Sequence, residues 1–105
     1  MELIQNLSDN VEEEINDAIK YAKMAIEYRD DYPMVADAVY KLSEEEMKHM
    51  SILHGLVTGI IDDYRKKNGD VPESMKMLYD ILHRKQIVHA AEAKAYQIMY
   101  KENKE

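Results

Sequence analysis

Cysteine, phenylalanine and tryptophan are missing from this sequence, and proline and glycine are scarce, at two and three residues. Without cysteine there is no disulfide, no thiolate metal ligand and no cysteine nucleophile. The same absence fits a cytoplasmic protein, as does an amino terminus with neither a basic region nor a long apolar run. No apolar stretch approaches the roughly 20 residues that a bilayer-crossing helix needs, so no membrane association is expected. Positive charge is also in the minority: 14 Lys and Arg stand against 21 Asp and Glu, leaving a net charge of −7. Non-specific nucleic-acid binding needs clustered cations, so nucleic acid is not an expected partner.

What the chain does contain is helix-forming. Glu, Lys, Ala, Met and Leu dominate, eight Tyr supply all the aromatic content, and eight Met fill much of the rest. The 105 residues are expected to form a single domain, 1–105. Two breakers divide it. In Asp30-Asp31-Tyr32-Pro33 the proline disfavours helix in the residue before it and suits the first turn of the next. Asn68-Gly69-Asp70-Val71-Pro72 carries turn chemistry. Helices are therefore expected over residues 8–30, 33–67 and 73–102, with Ser8 or Asp9 capping the first. Long helices joined by short loops pack antiparallel, as three helices or as a larger bundle completed by a second copy.

The second helix carries an anomaly. One face holds Val35, Val39, Leu42, Met50, Leu53, Val57, Ile60 and Tyr64, and Glu46 lies in the middle of it with His49. Glu44 and Glu45 point elsewhere. A carboxylate in an apolar stripe is costly unless it is paired or binds a metal. Glu14 shares a face of the first helix with Leu7, Ala18, Tyr21, Ala25 and Tyr28. In the third, Glu92 falls among Leu78, Ile81, Val88, Ala95, Tyr96 and Met99, with His89 on the flank and Lys85 breaking the pattern. Helical rise is uniform at about 1.5 Å per residue, so equal counting from a turn means equal height. Counted from the two turns, Glu14, Glu46, His49 and Glu92 share one layer.

Each of these residues has a plainer reading. Glu-x-x-His occurs by chance, and Asp80-x-x-His83 has the same spacing but faces away from the third helix's stripe, as a surface pair does. His54 sits at the edge of its face, where a histidine at the core rim belongs. Tyr21 and Tyr96 read as core residues whose hydroxyls bond carboxylates, and the Met residues read as packing. Two readings of the polar layer stay open: a metal site, or a metal-free buried network of Glu, His and Tyr. Carboxylates and imidazole without thiolate suit iron or manganese, with zinc as a further option.

The segment Glu14-Ile-Asn-Asp-Ala-Ile-Lys-Tyr21 resembles the first-helix motif of the ferritin-like superfamily, in its rubrerythrin-like branch. Val35-Ala-Asp-Ala-Val-Tyr-Lys-Leu-Ser-Glu-Glu-Glu46-Met-Lys-His49 resembles that family's second-helix Glu-x-x-His segment. Ala90-Ala-Glu92-Ala-Lys-Ala-Tyr96 is faintly similar to its third-helix Glu region. The resemblance implies an all-α, ferritin-like antiparallel bundle with a di-iron site, in which Glu14 and His49 are terminal ligands and Glu46 bridges. The sequence departs from the family in its short second connection and in lacking a fourth helix with a second Glu-x-x-His. One chain thus offers half a standard site. Encapsulated ferritins, a short branch, pair two chains around the metals, and a homodimer is the corresponding expectation here. The implied activity is ferrous iron oxidation for iron handling, or peroxide reduction with an external electron donor. If instead the site closes within one chain, His89 and Glu92 must supply the missing ligands.

Overall fold

The apolar residues of the first helix fall three and four apart, and that spacing decides how the chain packs. In the computed structural model, which describes residues 2–102, helix α1 spans Glu2–Tyr28, α2 spans Pro33–Asn68 and α3 spans Glu73–Glu102. The described residues contain no strand. On α1, Ile4, Ser8, Val11, Ile15, Ala18, Ala22 and Ala25 form one seam, and all but Ile4 are buried. A 3–4 spacing keeps such a seam on one side of the helix along its whole length, where it meets both other helices. The three alanines bring the neighbouring backbone close, and Ser43 of α2 donates a hydrogen bond to the Ala18 carbonyl at 2.6 Å.

The first helix begins six residues earlier than the sequence suggests. Ser8 is not a cap: it sits on the buried seam, and its carbonyl accepts a hydrogen bond from Gln86 Nε2 at 3.3 Å. Ile4 extends the seam into the preceding turn, which is why the helix runs through Ser8. The other boundaries agree with expectation to within two residues. Pro33 opens α2. Gly69, at φ 81°, closes it with its N–H on the Arg65 carbonyl at 3.0 Å, a backbone conformation that favours glycine.

Cross-helix contacts fix the directions. Glu14 meets Glu46 and His49 while Tyr28 meets Tyr32, so α1 and α2 run antiparallel. Ser43 meets Gln97 and His54 meets His83, so α2 and α3 are antiparallel too. Gln86 meets Ser8 and His89 meets Glu12, leaving α1 parallel to α3. Helix α1 is the spine, packed along both others, whereas α2 and α3 scarcely touch each other. Their junction near the first turn is aromatic: Tyr40 and Tyr100 stack at 4.8 Å, and the Tyr100 hydroxyl donates to Asp37.

The result is a rod of 56 × 18 × 18 Å with a radius of gyration of 16.7 Å. A compact domain of this length has a radius of about 13 Å. A rod one bundle wide leaves much apolar surface uncovered. Helix α2 shows this most clearly, because it carries two seams one residue apart. The inner seam, Ala36, Tyr40, Ser43, Met47, Met50, His54, Val57 and Ile61, is buried or half-buried against α1 and α3. The outer seam runs Val35, Val39, Leu42, Glu46, His49, Leu53, Leu56 and Ile60 with the same 3–4 spacing. On it Val35, Leu42 and Leu56 are 46%, 39% and 51% exposed.

The expected stripe of α3 does not face inward. Gln86, Ala93 and Tyr100, seven residues apart, are its buried line, while Leu78, Ile81, Val88 and Met99 are exposed. Apolar residues occur on several sides of this helix, so hydropathy alone does not fix its rotation. The polar Gln86, which reaches the Ser8 carbonyl, belongs to the inward line that hydropathy skips.

Candidate metal centre

Glu14 and Glu46 reach each other from the flanks of the α1 and α2 seams. On α1, Leu7, Glu14, Tyr21 and Tyr28 repeat every seven residues and are all half-buried. On α2, the outer seam brings Glu46 and His49 to the same height. One donor atom from each of Glu14, Glu46 and His49 lies within 4.8 Å of the others. His49 Nδ1 is 3.4 Å from Glu14 Oε2 and 3.8 Å from Glu46 Oε2. The carboxylates are largely covered, while the His49 side chain is 56% exposed, so the site opens away from α3.

The chemistry of this group is unbalanced. Two carboxylates face one imidazole, and even a protonated His49 offsets only one of them. Glu14 Oε2 is buried and makes no hydrogen bond. Its contact with His49 is long, at 3.4 Å, and a cation would give it a closer partner and relieve the like-charge repulsion between the two carboxylates. Oxygen and imidazole donors without sulfur suit iron or manganese, with zinc also accommodated. The residues present could therefore hold a metal ion, with three candidate ligands from one chain.

The two residues expected from the third helix are elsewhere. Glu92 is exposed and does not join the group, because α3 turns its Gln86–Ala93–Tyr100 line inward and Glu92 lies well round from it. His89 is half-buried but bonds Glu12 on the opposite flank of α1, Nδ1 to Oε2 at 3.0 Å. Glu12 lies off the face that carries Glu14 and is nevertheless half-buried. Its position beside the Ser8–Val11–Ile15 seam is the signal that marks it as half-buried. Tyr21 and Tyr96 do lie half-buried, with the ammonium groups of Lys20 and Lys23 over their rings at 4.8 and 5.1 Å.

His54 and His83 form a third histidine pairing, between α2 and α3, at 3.2 Å. Burial, and secondarily the neighbouring His83, lower the proton affinity of His54 below the ordinary histidine range. The sequence reading took His83 for a surface residue paired in spacing with Asp80. The rotation of α3 brings it inward instead. No described helix is long and apolar enough to cross a membrane.

Comparison with protein-family models, with curated proteins and with solved structures finds no match, so the functional reading rests on the chain's own residues.

Proposed function

We propose that this chain is a ferritin-like iron-binding protein whose Glu14, Glu46 and His49 form half of a di-iron carboxylate site, completed by a second copy of the chain. The observation that carries the proposal is the convergence of these three donors within 4.8 Å, two largely covered carboxylates with a single imidazole between them. Glu46 is the bridging ligand in this reading, and Glu14 and His49 are terminal. A pair of ferrous ions bound there would supply electrons for reduction of oxygen or peroxide. The chain's own Glu14, Glu46 and His49 would hold the cations, and the carboxylates would offset their charge.

A second copy is part of the proposal for two reasons. Bundle di-iron sites use about six carboxylate and imidazole groups, and one chain brings three. The outer seam of α2 also leaves Val35, Leu42 and Leu56 in water on the side where His49 opens. A two-fold axis beside Glu46 would double the ligand set and cover that seam in one step. The activity that fits best is ferrous oxidation for iron handling, since it needs only iron and oxidant. A peroxidase would need an external electron donor, because the chain has no cysteine to hold a redox centre.

The competing reading is a metal-free interaction module. It is favoured by the spacing of His49 Nδ1 from both carboxylates, which a protonated imidazole can use for ion pairing. Anaerobic sedimentation with and without ferrous iron separates the two. The proposed site predicts one iron per chain, with the dimer strengthened by iron, since binding favours whichever state holds the ligands. No iron binding at all establishes the module instead. A monomer holding two irons would show that the site closes within one chain.

A further inference from the structure

His54 and His83 sit where the rod is least well held. Near the first turn, α2 and α3 are joined by the Tyr40–Tyr100 stack, by Tyr100 on Asp37 and by Gln97 on Ser43. Farther toward the second turn, α2 and α3 line a cleft of about 260 Å³, with Met50, Ser51, Gln86 and Ile87 beside the two histidines. Across it, His54 Nε2 and His83 Nδ1 stand 3.2 Å apart. Their rings are inclined by only 23°, and the Tyr79 ring lies against His83 with its centroid at 5.6 Å.

That nitrogen separation suits a shared hydrogen bond, and it equally suits a shared cation. With zinc–nitrogen bonds of about 2.0–2.1 Å, a tetrahedral centre holds its nitrogen ligands about 3.3 Å apart. The donor set differs in kind from the carboxylate site. It is imidazole with a thioether side chain, Met50, in the same cleft, and the only described grouping of three carboxylate or imidazole donors lies elsewhere. Such donors favour zinc, copper and nickel over iron and manganese. We infer that His54 and His83 form a second, separate cation site, for a borderline divalent ion of the zinc class, which clamps together α2 and α3, two helices that otherwise scarcely touch.

Binding requires a lone pair at both facing nitrogens. The proton now shared between the rings therefore moves to the remaining nitrogen of the ring that carries it, and both imidazoles stay neutral. Burial disfavours the protonated form of His54, which has no lone pair for a metal. Water completes the coordination, so the affinity is lower than that of a four-ligand structural site.

The test uses the full chain carrying Glu46→Ala and His49→Ala, which disables the carboxylate site, with zinc ion alone as probe. Histidine ring resonances are followed by NMR through the titration. His54 and His83 are expected to shift together and saturate at one zinc per chain, while His89 stays in place as the internal control. At zinc about tenfold above its dissociation constant the Tm rises by about 5 °C. His83→Gln and, separately, His54→Gln abolish that rise. Unmoved His54 and His83 resonances at millimolar zinc overturn the inference. So does a thermal gain that survives in either glutamine variant. Because the NMR titration needs neither variant, failure of one to fold leaves the decision intact.

Discussion

The two flanks of α1 carry the same residue types in opposite roles. On one flank, Glu12 meets His89 at 3.0 Å, and both side chains are mostly covered, at 18% and 30% exposure. On the other flank, Glu14 and Glu46 share His49, which is more than half exposed. The first arrangement pairs one carboxylate with one imidazole through a hydrogen bond inside the bundle, although Glu12 Oε1 is also buried without a hydrogen bond. The second has one carboxylate too many and opens outward. The comparison sets a one-to-one polar contact against a group that carries a surplus carboxylate. The mere presence of Glu and His does not separate them; the ratio of acceptors to donors and the direction of exposure do.

The sharpest way to break this comparison is to exchange its members. Glu46→Ala or His49→Ala is expected to weaken ferrous binding by at least tenfold in an anaerobic titration, while His89→Ala leaves binding within about twofold. Equal losses from the two flanks would mean that the one-to-one pair is also a ligand pair. The next largest effect is on stability. His89→Ala leaves Glu12 half-buried without its donor and is expected to cost about 1–3 kcal/mol, read from the urea midpoint at unchanged m. His49→Ala is expected to cost less than about 0.5 kcal/mol in the metal-free protein, since His49 is half in water. A reversed order would put the structural role on the open flank.

The smallest effect concerns the third pairing. His54 binds its proton less readily in the folded chain than its ordinary value of 6.5, because burial and then His83 disfavour the charge. Its stabilising contribution is thus complete above about pH 6.5 and is lost as pH falls below that, toward and through the folded value. Between pH 7.5 and pH 5 the wild-type urea midpoint should fall faster than that of His54→Gln. Parallel curves would show that His54 titrates as it does in the unfolded chain.

Much of this was legible in the residues. Three helices and both turns follow from Pro33 and from the Asn68-Gly69 and Pro72 cluster, because backbone preferences act locally. The height of Glu14, Glu46 and His49 followed from counting, since rise per residue is uniform. Rotation about each helix axis was harder to read. On α2 two adjacent seams are largely apolar, and the pattern selects the one with Leu42 and omits Tyr40, although Leu42 is exposed and Tyr40 is buried. On α1 the seam passes between Glu12 and Glu14, and a pattern centred on Glu14 pushed Glu12 outward. On α3 the stripe containing Lys85 lay on the wrong side, and the inward line through Gln86 was polar where a hydropathy reading looks for carbon. Which face turns inward depends on the shapes of the neighbours, which hydropathy does not encode.

The rod shape has a consequence for how assembly can be seen. Two such rods laid along each other double the mass but barely change the length, so the radius of gyration would rise only slightly above the single-chain 16.7 Å. The same two rods joined at their tips would stretch it severely. Mass per unit length, rather than size, is therefore the quantity that reports how these chains associate, and a scattering curve can tell flank-to-flank pairing from tip-to-tip contact with no metal present.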